Sequence, residues 1–219
     1  MSSIRNISSS NQMPADLAKK LGKNGIVEVL SVMWQGYDDL KADNIITADM
    51  NENAITQEWY LRVNERWHEE NRASTISIRL SPTVQYEDDT LAKPQGQSPT
   101  IDFCFRSWNK DEGYFGAECK NLYHHDTKHI KRYVSTGVNN YTSGRYGSKS
   151  TVSSMIGYVL TGSIPGIIDD LSKEIATTKP CLNLSKVYGS NDPQYKSSHI
   201  RMLDGKLITL YHLFFDFVA

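Results

Sequence analysis

No apolar run in this chain approaches the roughly 20 residues a helix needs to cross a bilayer, so a membrane span is not expected. The opening stretch "MSSIRNISSSNQ" lacks the apolar centre of a secretory signal. Cysteine is scarce: Cys104, Cys119 and Cys181 make an odd count without CxxC spacing, which argues against a disulfide framework and against a structural zinc site. Walker motifs, helix-turn-helix patterns, zinc fingers and internal repeats are also missing. Together these absences point to a soluble cytoplasmic chain in a reducing compartment.

What remains is ordinary globular composition. Of 219 residues, 39% are hydrophobic, 10% aromatic and 22% charged, enough for one sizeable core. Residues 1–12 read as a flexible tail and residues 13–219 as a single domain. The formal net charge of −1 hides an uneven distribution: between residues 124 and 150, Lys128, Lys131, Arg132, Arg145 and Lys149 face Asp126 alone, a local excess of +4. The rest of the chain is correspondingly acidic, so a polyanion would meet one patch.

Hydrophobic spacing orders the elements. Leu17, Leu21, Val27, Leu30 and Trp34 suggest helix, divisible at Gly22 and Gly25. Ile55, Trp59, Val63 and Trp67 recur every four residues, the buried stripe of an amphipathic helix. Ile76, Ile78 and Leu80 alternate as in a strand. Two further strands are expected at about 100–108 and 113–123, then a helix that passes into a Ser/Gly loop. "TVSSMIGYVLTG" and "IPGIIDDLSKEIATT" read as two more helices, and Asp204-Gly205 marks a β-hairpin. That order implies an α/β (α+β) fold with a central mixed sheet flanked by helices.

The stretch "TIDFCFRSWNKDEGYFGAECKNLY" carries the chemistry. Strict alternation sets Ile101, Phe103 and Phe105 on one side of the first strand and Asp102 on the other; in the second, Phe115, Ala117 and Cys119 oppose Gly116, Glu118 and Lys120. Opposed residues of an antiparallel pair point the same way, so a register joining Phe103 to Ala117 also gathers Asp102, Glu118 and Lys120. Adjacent carboxylates repel unless a cation lies between them. Mg²⁺ or Mn²⁺, hard ions with oxygen ligands, suit such a pair. Gly116-Ala117 leaves room for a large group to approach.

"PTIDFCF" followed by "FGAECKNLY" resembles the PD-(D/E)XK, or restriction-endonuclease-like, nuclease superfamily. The resemblance implies a restriction-endonuclease-like core over about residues 54–188, with Asp102, Glu118 and Lys120 catalytic. A further metal-binding glutamate is implied on the preceding helix, Glu58 matching best and Glu65 being the alternative. It also implies Mg²⁺-dependent hydrolysis of DNA phosphodiesters, as an endonuclease subunit of a bacterial restriction or anti-phage system acting as a homodimer or with a partner subunit. Lys128, Lys131, Arg132, Arg145 and Lys149 would then contact phosphates. The competing readings are an RNA nuclease and a nuclease-like fold used as a non-catalytic DNA-binding or assembly subunit. His125 and His129, at i, i+4, are expected to be surface histidines rather than metal ligands.

Overall fold

The computed structural model describes residues 25–72, 80–88, 98–107, 113–177, 181–187 and 192–218. The chain begins with two helices, α1 (Gly25–Asp43) and α2 (Glu52–Arg72), and continues through β1 (Leu80–Glu87), β2 (Thr100–Ser107) and β3 (Phe115–Leu122). A helical segment follows, made of α3 (Thr127–Arg132), a π-helical turn (Tyr133–Val138) and α4 (Asn139–Thr142). Next come β4 (Val152–Val159), α5 (Ile164–Ala176), β5 (Cys181–Lys186), β6 (Gln194–Ile200) and β7 (Leu207–Asp216). All seven strands join one mixed sheet in the order β1-β2-β3-β4-β7-β6-β5, with β3–β4 and β4–β7 parallel. The α/β fold with a central mixed sheet flanked by helices is therefore as expected; the Ile76 and Ile78 alternation and the Leu17–Leu21 helical stretch lie outside the described residues.

Both faces of the sheet are covered. On one, α1 and α2 bring Leu30, Trp34, Trp59, Val63 and Trp67 onto Phe103, Phe105, Phe115, Ala117, Cys119 and Phe215. The anticipated stripe of α2 is fully used, and its indoles also find acceptors: Trp59 Nε1 donates to Met33 O and Trp67 Nε1 to Leu80 O. On the other face, Tyr133, Val138, Ile167, Leu171 and Ile175 pack on Leu122, Met155, Val159, Leu210 and Phe214. Pro82 falls in β1, an edge strand, where its missing N–H costs no central ladder bond.

One expected helix is a strand. Residues 152–159 form β4, buried at every position between parallel neighbours β3 and β7. A strand covered on both faces has no polar side, so its apolar residues lose the period of two that would identify it. The second helix of that pair is found as expected: α5 buries Ile167, Ile168, Leu171 and Ile175. The Asp204-Gly205 turn joins β6 to β7 with Ile200 opposite Leu207 and Gly205 at φ +70°. No helix among the described residues is long and apolar enough to cross a membrane.

A buried polar chain ties the second core to the sheet. Tyr133 Oη lies 2.9 Å from His212 Nδ1, and Ser197 Oγ is 2.7 Å from both His212 Nε2 and His199 Nε2. Burial holds His199 down at about 4; burial, and then His199, holds His212 at about 3. The unfolded chain binds these protons near the ordinary histidine value of about 6.5, so their contribution to stability is full above that pH and is lost as pH falls toward 4 and 3. His212→Gln removes one such proton. Its melting temperature should fall less steeply than the parent's between pH 6.5 and 4.5, and parallel slopes in the two proteins would contradict this account.

Candidate active site

The β2–β3 ladder stops short. Its pairs are Phe105↔Phe115, Cys104↔Gly116 and Phe103↔Ala117, the expected register, whereas β3 stays paired with β4 as far as Leu122↔Val159. Continuation would bring Ile101 opposite Cys119. Instead the two strands fork, and Asp102 Oδ2 accepts the Cys119 N–H at 2.8 Å. A side chain has replaced a backbone acceptor, which places a carboxylate in the mouth of the fork.

The fork is accompanied by an irregularity in β1. Val84 pairs with Phe103 and Tyr86 with Ile101, while Gln85, opposite Asp102, adopts φ +51°. A left-handed residue of this kind reorients the chain. Strict alternation accordingly fails here: Ile101 joins Cys104 and Tyr114 in the second core instead of sharing a face with Phe103. This corrects the expected facing of Ile101. It also corrects the idea of open room at Gly116, because a Cβ there would collide with the side chains of Ile101 and Tyr114.

Three elements converge in the fork on Lys120. Its ammonium donates to Cys119 O (2.6 Å), Glu118 Oε1 (2.8 Å) and Glu52 Oε1 (3.0 Å), with Asp102 Oδ2 at 3.7 Å. Glu52 stands in the first turn of α2 and its other oxygen accepts the Asn121 N–H at 3.2 Å. The side chains of Glu118 and Lys120 are 7% and 5% exposed. Asp102, Glu118 and Lys120 are thus brought together.

Glu58 is not part of the cluster. Its carboxylate pairs with Arg62 at 2.7 Å, a guanidinium also held by Asp43, and Glu65 lies with Arg66 and Asp39 beside a cleft on the α1–α2 surface. Six residues along a helix turn a side chain about 240° away, so Glu52 and Glu58 cannot serve the same site. The sequence does carry the signal for Glu52: extending the Trp59/Ile55 stripe backwards by one turn reaches it.

Charge balance dominates the chemistry. Three carboxylates share one buried ammonium, the half-exposed Arg132 lying 3.7 Å from Glu52 at the rim. Burial, then the negative charge of Asp102, pushes Glu118 up to about 8. Burial likewise raises Asp102, opposed by Lys120 and the Cys119 N–H. Burial alone would lower Lys120, but Glu118, Asp102 and Glu52 together outweigh it and raise it above an ordinary lysine. Glu118 Oε2 is buried with no hydrogen-bond partner. Because the carboxylates converge on the ammonium, no group of three or more His, Cys, Asp or Glu among the described residues is arranged to hold a metal. The donor set itself suits a hard divalent ion: oxygen only, negative in excess, with one orphaned oxygen.

The basic residues surround this site unevenly. Lys128, Lys131 and Arg132 are exposed on α3, and Arg145 and Lys149 are exposed in the loop before β4. Tyr141 and Tyr146, on the same segment, stand near enough that Glu118 and Asp102 add to the effect of burial in raising both phenols. His129 Nδ1 pairs with Asp126 at 2.8 Å and His125 sits in the turn ahead of α3 at φ +60°. Comparison with protein-family models, curated proteins and solved structures gives no match.

Replacing Lys120 with Met should strand the three carboxylates. We expect a loss of about 3–5 kcal/mol of stability in urea unfolding, larger at pH 8 than at pH 5, where the carboxyls take up protons. A Lys120→Met protein as stable as its parent at pH 8 would show that the ammonium does not balance the cluster.

Proposed function

We propose that this chain is a Mg²⁺- or Mn²⁺-dependent nuclease that hydrolyses DNA phosphodiesters. The observation that carries the reading is the fork: Glu52, Asp102 and Glu118 reach one buried point from three elements, and Glu118 Oε2 has no partner there. Structural ion pairs tend toward neutrality, whereas a site with excess buried carboxylate suits a cationic ligand. The order helix, three antiparallel strands, helix, strand over α2 to β4 also supports a restriction-endonuclease-like core.

In this reading Asp102, Glu118 and Glu52 hold the ion, Glu52 taking the place expected of Glu58. When bound, the ion lowers the pKa of water and offsets charge on the phosphate. Lys120, released from part of its carboxylate load, presents an N–H to the attacking water or to a phosphate oxygen. Arg132, at the rim, meets the backbone first, with Lys128, Lys131, Arg145 and Lys149 as nonspecific phosphate contacts. With no dedicated base-reading motif, sequence choice falls to a second copy or another subunit, in keeping with a restriction or anti-phage role.

The test uses supercoiled plasmid, linear duplex and matched RNA with the wild type, Asp102→Asn and Glu118→Gln, in Mg²⁺, Mn²⁺ or EDTA. We expect metal-dependent opening of the closed circle, reduced by at least about a hundredfold in either variant. Calorimetric titration with Mn²⁺ gives a second readout. Burial and Asp102 push Glu118 up to about 8, so binding that requires its carboxylate should release protons and tighten as pH rises toward 8. Absence of both cutting and metal binding would leave a non-catalytic subunit as the better reading.

A further inference from the structure

Six large apolar side chains among the described residues are exposed, and four of them, Ile200, Met202, Leu203 and Leu207, crowd the turn between β6 and β7. That turn is held firmly. Arg201, 1% exposed, donates from Nε and Nη2 to the Asp204 carboxylate and from Nη1 to Gly147 O and Ser150 O. Met202 N donates to Thr142 O at 2.7 Å, and Leu203 lies so close to Gly144 that a Cβ there would clash. Burying a guanidinium is unfavourable unless its partners are well placed. Here they fix a turn that holds two aliphatic side chains out in water, Met202 at 64% and Leu203 at 49% exposure.

The surroundings of this tip are amide-rich and carry more cations than acids: Arg145, Lys149 and Lys206 against Asp204, which holds Arg201 and Lys206, and Glu174 at the far wall of the groove. Arg145 follows Gly144 and is exposed, Lys149 is exposed in the same loop, and the Lys206 side chain is 68% exposed although it also reaches Asp204 at 3.3 Å. A groove of about 540 Å³ runs from Met202 onto the helical segment, lined by Ser135, Asn139, Asn140 and Arg145 among others. An apolar tip flanked by cations matches a polyanion with an apolar interior, which is what a stacked duplex is.

We propose that Met202 and Leu203 form a wedge that enters the minor groove of duplex DNA and parts a base step, while Arg145, Lys149 and Lys206 hold the flanking phosphates. This rests on the nuclease reading of the Lys120 cluster and adds how the duplex is gripped.

The experiment uses the full chain carrying Glu118→Gln, to prevent cutting, and a duplex of about 30 bp with 2-aminopurine at central steps. Binding is followed by anisotropy and unstacking by 2-aminopurine fluorescence. Adding Met202→Ser and Leu203→Ser should weaken duplex binding about tenfold and abolish the fluorescence rise, because the wedge no longer gains by entering the stack. Affinity for a single strand, which has no paired step to part, should change less than about twofold, and Leu61→Ser, an exposed apolar residue on α2, should change neither. Equal duplex binding and equal fluorescence with and without the tip substitutions overturns the wedge while leaving the nuclease reading standing. So does a dimer seen by sedimentation that the tip substitutions dissolve with duplex binding intact, since the tip would then serve a second copy. No nucleic-acid binding by the chain with its tip unaltered overturns both the wedge and the reading it rests on.

Discussion

The structure turns on an unequal sharing of charge: one ammonium, Lys120, set among Glu52, Asp102 and Glu118 in a place with little water. Nothing about a seven-stranded sheet requires this. The ladder between β2 and β3 must be broken for it to occur, and the break is built from both sides, by Gln85 in the left-handed region and by Asp102 taking the Cys119 N–H. Because β3 remains paired with β4 throughout, the fork opens without loosening the centre of the sheet. The cores above and below then supply the burial that makes the imbalance felt. In water the same four side chains would be screened and would shift one another little.

Much of this was legible in the sequence. The register of β2 on β3 followed from requiring Phe103 and Ala117 to share a face; Asp102, Glu118 and Lys120 also meet, though through the fork beyond that pair and not through pairing of 102 with 118. The stripe of α2 was equally plain, because Ile55, Trp59, Val63 and Trp67 recur every four residues while Gln57 and Glu65, which a strand would set on the same face, are polar. In both cases the signal was periodic and one face was polar.

The parts that were not legible share a cause: the local pattern was either absent or broken by a single residue. β4 is buried on both faces, so "VSSMIGYV" carries no alternation that would mark it as a strand. Ile101 changes face beside Gln85 of the neighbouring strand, which lies in the left-handed region, and no period within β2 can report that. Glu52 lies one turn ahead of the Ile55/Trp59 stripe, but the stripe alone does not say which end of the helix meets the carboxylates of the sheet. A residue in the first turn meets the end of β3, and which strand end a helix start meets is set by the α1–α2 connection and the sheet order rather than by the helix itself.

The helical segment from α3 to α4 joins the remaining features into one device. Its exposed side carries Lys128, Lys131 and Arg132, and its buried side carries Tyr133, Tyr141 and Val138, which roof the second core over the face that bears Glu118. Tyr133 reaches His212 from the first residue of the π-helical turn, and such turns, rare in helices, commonly mark places where a side chain has been re-aimed. The loop that follows is tied by Arg201 to the β6–β7 turn. The basic surface, the buried tyrosines beneath it and the β6–β7 turn are therefore joined by direct contacts, without any long path through the sheet. A chain that only needed a positive surface could have placed it on the outer face of α2. Here it lies on the segment whose other side covers the face that bears Glu118 and Lys120, where three carboxylates share one buried ammonium.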